Sequence, residues 1–135
     1  MGRPLLILLD THVVIWLAQD YKRISRTAQA AIVAARNEDR GLAISDITLV
    51  EIAQLASHGR INLIPDIETV LSEVECRFVI LPITSSIAMH AFALPANYPK
   101  ELVDCVIAAT ALIEDLPLVT ADREIRKSKA VPTIW

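Results

Sequence analysis

Glycine is scarce in this chain, with three residues in 135. That is too few for a glycine-rich phosphate loop, and neither G-x-x-x-x-G-K-[ST] nor G-x-G-x-x-G occurs, so the common loop-based nucleotide sites are excluded. Cysteine is scarcer still. Cys76 and Cys105 are far apart, make no C-x-x-C spacing and have apolar residues close by, Val74 and Phe78 for the first, Val103 and Val106 for the second. Both read as reduced, buried thiols of a cytosolic protein rather than as a disulfide. Long apolar runs are also missing. None is longer than Val13 to Ala18, far short of the roughly 18 residues a membrane span needs. The first, Leu5 to Leu9, is cut by Asp10 too early for a signal peptide. The expectation is a cytoplasmic protein with no membrane segment. Excess charge is the last absence. A net charge of -3 advertises neither a nucleic-acid nor a membrane partner, so any nucleic-acid site must be a local patch.

What is present is a large apolar fraction, 53% of residues, enough for one domain over residues 1–135 to build a core without staples. No internal repeat, low-complexity tract or linker divides the chain. Leu5–Leu9 has the continuous apolar pattern of a strand buried on both faces. Thr11 to Gln19 reads as a short helix. Ser25 caps an alanine-rich helix ending near Asn37, with Gly41 beyond it. Leu42–Ile44 is a second strand. Ser45 or Asp46 caps the next helix, which Gly59 stops. Pro65 opens a helix to about Cys76, and Phe78–Leu81 is a third strand. Thr84 caps a helix through Phe92, and Leu94 to Pro99 is loop. Glu101 to Glu114 is the most apolar helix. Leu118-Val119 is a short strand, Asp122 to Lys127 a helical turn or two, and Pro132–Trp135 an edge strand. Alternating strands and helices predict an α/β fold: a mostly parallel central sheet of four to five short strands, with helices on both faces.

Four acids stand where acids are rare. Asp10 ends the first apolar run, and Asp122 follows Leu118-Val119-Thr120. In an open parallel sheet both would point to the rim beyond the carboxyl ends of the strands, where ligands bind. Glu51 falls in the row Ile47, Glu51, Leu55 of a helix, and Asp104 is surrounded by Val103, Val106 and Ile107. Each has a structural reading. Asp10 and Asp122 can cap the helices that follow them, and Glu51 and Asp104 can pair with a cation folded in from elsewhere. As a set they need a counter-charge, because two unit charges about 4 Å apart repel by roughly 4 kcal/mol at an effective dielectric near 20. Oxygen-only ligands select hard ions, so Mg²⁺, with Mn²⁺ as a substitute, fits better than zinc. Such a centre polarises a phosphoryl oxygen and generates hydroxide from water.

At these residues the chain resembles the PIN domains, in particular the VapC-type toxin ribonucleases of type II toxin–antitoxin systems. Leu8-Leu9-Asp10-Thr11-His12-Val13-Val14-Ile15-Trp16 resembles that family's opening strand and helix. Ser45-Asp46-Ile47-Thr48-Leu49-Val50-Glu51-Ile52 resembles its second motif. Asp104-Cys105-Val106-Ile107-Ala108-Ala109-Thr110-Ala111 resembles the third, Leu118-Val119-Thr120-Ala121-Asp122 the fourth, and Val131-Pro132-Thr133-Ile134-Trp135 the last strand. The resemblance covers nearly the whole chain in order. It implies a three-layer α/β/α sandwich and a Mg²⁺-dependent endoribonuclease. Asp10, Glu51, Asp104 and Asp122 would be its catalytic and metal-binding residues, with Thr120 and Thr11 as auxiliaries. It also implies an antitoxin of the VapB kind covering the acidic cleft, and a homodimer. Many relatives carry Asp-Pro-x-Asp-Arg before the third motif. Here Glu101-Leu102-Val103-Asp104-Cys105 stands instead, which makes Glu101 a fifth candidate acid and puts a cysteine in place of an arginine.

Other signals carry less. His12, His58 and His90 lack metal-ligand spacing: His12 reads as a packing or hydrogen-bonding residue near the site, His58 as a helix-end residue and His90 as half-buried. Ser85-Ser86 has no His–Asp arrangement near it. Trp16 with Val13 and Leu17 forms an apolar helix face, for the core or an oligomer contact. Arg123, Arg126, Lys127 and Lys129 cluster beside Asp122, either as solvated surface or as contacts to RNA phosphates. Two other functional classes are open: a catalytically silent binding module on the same fold, and another Mg²⁺-dependent phosphoryl hydrolase. Against the latter, a dehalogenase-type phosphatase wants an acid at position 12, which is His, and a phospho-receiver wants an early acid pair, where this chain has Asp10 alone.

Overall fold

The computed structural model describes residues 6–37 and 41–135. Leu5, the first residue of the expected opening strand, lies outside the described residues. Strand β1 (Ile7–Leu9) leads into helix α1 (Thr11–Gln19), a single 3-10 turn at Tyr21–Arg23 and helix α2 (Arg26–Asn37). Then come β2 (Leu42–Ser45), α3 (Asp46–Ser57), α4 (Ile67–Arg77) and β3 (Val79–Leu81). The last part holds α5 (Ser85–Ala91), α6 (Leu102–Glu114), β4 (Leu118–Val119), α7 (Arg123–Ser128) and β5 (Thr133–Ile134). The strands form one sheet in the order β3-β2-β1-β4-β5, and every pairing is parallel.

Side-chain alternation in the strands builds the two outer layers. Ile7, Leu9, Leu42, Ile44 and Val119 face one side and pack with Val13 and Val14 of α1, Ile32 of α2, Ile52 of α3 and Val74 of α4. Leu8, Ala43 and Leu118 face the other and meet Ile107, Ala108 and Ala111 of α6 and Ile125 of α7. The result is the α/β/α sandwich expected. Leu8 and Leu9 are both wholly buried, each on its own face. That is why β1 reads as an unbroken apolar run, and each such side chain stabilises the fold by roughly 1.5–3 kcal/mol.

Local chemistry fixes the ends. Ser25 Oγ accepts the Ala28 N–H at the start of α2, Ser45 Oγ accepts the Ile47 N–H for α3, and Thr84 Oγ1 accepts the Ile87 N–H for α5. Gly59, with φ of +69°, follows the last turn of α3. Helix α4 starts at Ile67 rather than at Pro65, because Asp66 takes the N-cap and its Oδ1 accepts the Thr69 N–H at 2.8 Å. Among the described residues no helix is long and apolar enough to cross a membrane.

The strand order places the ligand crevice. From β1 the chain steps outward through β2 to β3, then returns to the opposite edge of β1 with β4. The reversal point therefore lies at the carboxyl ends of β1 and β4, where open α/β sheets bind ligands.

Candidate active site

Asp10 stands at that reversal point, immediately after β1. It is 5% exposed. The register pairs Leu9 with Val119, so the next residues, Asp10 and Thr120, come side by side. The Thr120 hydroxyl donates to Asp10 Oδ2 at 2.7 Å, and the Thr11 N–H donates to Oδ1 at 2.8 Å. Burial raises the Asp10 carboxyl above its ordinary range. The Thr120 hydrogen bond, His12 and the Thr11 N–H pull it back, and Asp122 pushes it further up.

Asp122 follows β4 and caps α7: its Oδ1 accepts the Glu124 N–H at 2.8 Å and the Ile125 N–H at 3.1 Å. The Thr120 Oγ1 that donates to Asp10 also accepts the Asp122 N–H at 3.1 Å. One hydroxyl thus binds both strand-end acids. The structural reading of Asp10 and Asp122 as caps is correct and does not compete with a role in the crevice, since the N–H donors reach only one carboxylate oxygen of each.

Asp104 lies in the first turn of α6, half-buried. Its carboxyl is pushed up to about 7, by burial first and then by the charges of Asp10, Asp122, Glu51 and Glu101. The acids singled out in the sequence are therefore close enough to disturb one titration, although they come from two helices and two strand ends. All these influences act in one direction. The Tyr98 hydroxyl, in the loop before α6, donates to the Asp104 carbonyl at 2.9 Å. Burial and then the charge of Asp104 raise its own titration. Sequence reading missed Tyr98, which is 3% exposed in a segment rich in proline and read as loop; an aromatic in such a segment was the available signal.

Glu51 is half-buried on α3. The innermost face of that helix is formed by Thr48 and Ile52, not by the row Ile47, Glu51, Leu55. The row is offset by about one residue from the axis of burial, which leaves Glu51 at the margin, facing the crevice. Among the described residues its side chain makes no hydrogen bond or ion pair, so the alternative of a buried Lys or Arg partner is not met there. Glu101 is the N-cap residue of α6, exposed, and its carboxylate makes no capping bond. Its influence on Asp104 is smaller than those of the other three acids.

The donor set suits a hard divalent ion, being carboxylate oxygen throughout. Among the described residues no three Asp, Glu, His or Cys side chains already form a metal-binding arrangement. Like charges gain nothing from closer approach until a cation lies among them.

The sequence pattern of the PIN domain matches residues 7–130. The chain belongs to the PIN-domain family. It is 34% identical over 131 residues, 96% of this chain and 98% of the relative, to Ribonuclease VapC22 of Mycobacterium tuberculosis. The PIN fold also recurs in a toxin–antitoxin complex from Klebsiella pneumoniae, with TM-score 0.58, 28% identity and 86% of each chain covered. A DNA-bound VapBC from Salmonella typhimurium has TM-score 0.70 at 24% identity, with 96% of each chain covered. That last likeness shows the fold.

Several expectations outside the PIN acids change. Cys76 is exposed on α4 rather than buried, and Cys105 is half-buried; both are free thiols. The reason for Cys76 is that α4 turns mainly Val74 and Leu71 inward and leaves its remaining face in solvent. Cys105 donates to the Pro99 carbonyl at 3.3 Å and so braces the loop before α6. His90 is exposed, not half-buried. His12 is exposed, its ring 6.0 Å from that of Trp16. Trp16 is half-buried, 6.0 Å from Trp135 and covered by the Arg23 guanidinium at 4.4 Å. Arg123, Arg126, Lys127 and Lys129 line one shallow depression beside Asp122. Arg126 leans back toward the Ala121 carbonyl, at a long 3.5 Å.

Proposed function

We propose that this PIN domain is a divalent-metal-dependent endoribonuclease, the toxin of a VapBC-type toxin–antitoxin pair. One observation carries the reading: beyond its burial, the Asp104 carboxyl is raised by the charges of Asp10, Asp122 and Glu51 together, so the four acids converge on one crevice. Identity of 34% to a VapC ribonuclease over nearly the full length supports the choice of RNA as substrate. The likeness to the Klebsiella pneumoniae toxin–antitoxin complex and to a VapC ribonuclease supports a VapB-like antitoxin, expected to cover the acidic cleft.

Asp10, Glu51, Asp104 and Asp122 would hold the ion, Mg²⁺ or Mn²⁺. When bound, it supplies charge neutralisation for a phosphodiester and lowers the pKa of water. The residues of the chain divide the rest. Thr120 orients Asp10 and the Asp122 backbone at once, and Thr11 directs the other oxygen of Asp10. Glu101, at the mouth, can hold a further water or ion. Arg123, Arg126 and Lys127 lie beside Asp122 and suit the flanking RNA phosphates, which fix register without reading bases. The protein is expected to act in the cytoplasm, as a homodimer.

RNA cleavage in Mg²⁺ tests this directly. Wild type should cut and Asp10→Asn should lose at least about a hundredfold in rate, the scale of losing a preorganised charge in a site. Equal cutting by both proteins would sink the reading. No cutting by either, with intact Mn²⁺ binding, would favour a silent binding module.

A further inference from the structure

The hydroxyls of Thr11 and Thr48 lie 3.1 Å apart, 37 residues distant in sequence, and both residues are wholly shielded from solvent. Thr11 opens α1 directly after Asp10, and its N–H donates to Asp10 Oδ1. Thr48 lies one turn before Glu51 on the same side of α3, since residues three apart are helical neighbours. A continuous path therefore runs from the Asp10 carboxylate through Thr11 and the hydroxyl pair to Thr48, then one turn along α3 to Glu51. Among the described residues the Glu51 side chain has no hydrogen bond or ion pair of its own. Its place in the crevice is set by where α3 sits.

On the metal-dependent reading above, we infer that Thr48 is a positioning residue: its hydroxyl contact with Thr11 fixes α3 against the end of β1, so that Glu51 stands at the distance from Asp10 that lets both serve one divalent cation. Charge alone would drive these two acids apart. A lysine or arginine could restrain them, but it would neutralise the carboxylates and compete with the ion. A pair of buried hydroxyls restrains the backbone elements and adds no charge. Apolar packing of Ile52 holds α3 on the sheet, whereas a hydrogen bond adds direction and so resists sliding of the helix.

Thr110 shows that burial alone does not give this role. It is equally inaccessible, but its hydroxyl donates at 2.7 Å to the Val106 carbonyl of its own helix and links no two elements.

The test is calorimetric titration of Mn²⁺ into the full chain without RNA. Thr48→Val should bind Mn²⁺ about tenfold more weakly, at the low end of the 10–100-fold effects of residues that orient metal ligands. Thr48→Ser should return to within about twofold of wild type, and Thr110→Val should match it. Thr11→Val reaches the same bond from the other side and keeps the test open if Thr48→Val does not fold. The double variant should lose no more affinity than one single variant, as expected for two residues that act through one interaction. Cleavage in Mg²⁺ should follow, with the metal requirement raised and the rate at saturating Mg²⁺ largely kept. The inference is overturned if Thr48→Val binds Mn²⁺ like wild type, if Thr110→Val weakens binding as much, or if the losses simply add. Wild type that binds no Mn²⁺ removes the metal reading and this inference with it.

Discussion

The Thr120 hydroxyl donates to Asp10 Oδ2 across 110 residues of chain, at 2.7 Å and out of contact with water. The bond joins the ends of β1 and β4 and holds the most buried acid of the crevice. Thr120→Val should therefore lower unfolding stability by about 1–3 kcal/mol, the cost of taking a donor from a buried, charged acceptor. It should also depress RNA cleavage. Thr120→Ser should keep most of both. Urea midpoints and initial rates measure the two effects, and an unchanged midpoint in Thr120→Val would show that the bond contributes no stability.

A second expectation concerns pH. Asp104 titrates near 7 in the folded chain, above the ordinary carboxylate value of 3.8. A carboxyl raised by folding binds more protons in the native state between those two values. Its stabilising contribution is complete below about pH 4 and is lost as pH rises through about 7. The shift of Asp10 has the same sign. The melting temperature of metal-free protein should thus fall from about pH 5 to about pH 7.5, and Asp104→Asn should flatten that slope. Added Mg²⁺ should raise the melting temperature more at the upper end than at the lower. A metal-free Tm that climbs steadily over the same window would contradict the convergence of the acids.

Asp122 allows its two tasks to be separated. Its Oδ1 caps α7 while its charge reaches Asp104. Asparagine is as good an N-cap as aspartate, whereas alanine costs about 1 kcal/mol at such positions. Asp122→Asn should fold nearly as well as wild type yet lose Mn²⁺ affinity and cleavage. Asp122→Ala should lose stability as well. Thermal melts alongside calorimetry distinguish the two, and full activity in Asp122→Asn would remove Asp122 from the metal site.

The basic depression beside Asp122 predicts a salt effect. Replacing Arg123 and Lys127 by Gln should weaken single-stranded RNA binding at every sequence tested. The slope of log affinity against log salt should drop by roughly 0.7 for each phosphate that is no longer neutralised. Fluorescence anisotropy across a salt series in an Asp10→Asn background reads this without cleavage. An unchanged slope would leave these residues as solvated surface.

Asp10 and Asp122 were legible in the sequence because apolar runs end abruptly at each, and a strand end is where a parallel sheet presents its ligands. The two helical acids were harder. Glu51 shares a row with Ile47, which does pack, yet the fully buried positions of α3 are Thr48 and Ile52, because a helical row and the line of closest approach to a sheet need not coincide. The hydroxyl contacts were legible only in part. The family resemblance pointed to Thr120 and Thr11 as auxiliaries, but threonine is as ordinary on a surface as in a core, and Thr48 acquires meaning only when the fold brings positions 11 and 48 together. Tyr98 was hidden for a similar reason: only the folded loop carries its hydroxyl to the Asp104 carbonyl. The exposure of Cys76 was hidden too: Val74 and Phe78 flank it at two residues' distance, but α4 turns Val74 inward and leaves Cys76 in solvent.

The central strand has its two hydrogen-bonded neighbours at very different distances along the chain, β2 some 35 residues on and β4 about 110. A ribosome synthesising this protein therefore releases β1, Asp10 and Glu51 long before Asp104, and Asp122 later still. Until β4 emerges, one edge of β1 is unpaired and Asp10 has no hydroxyl at its side. On the proposed reading, a chain cut short before β4 lacks both Asp122 and the Thr120 hydroxyl that holds Asp10, so the four acids come together only at the end of synthesis.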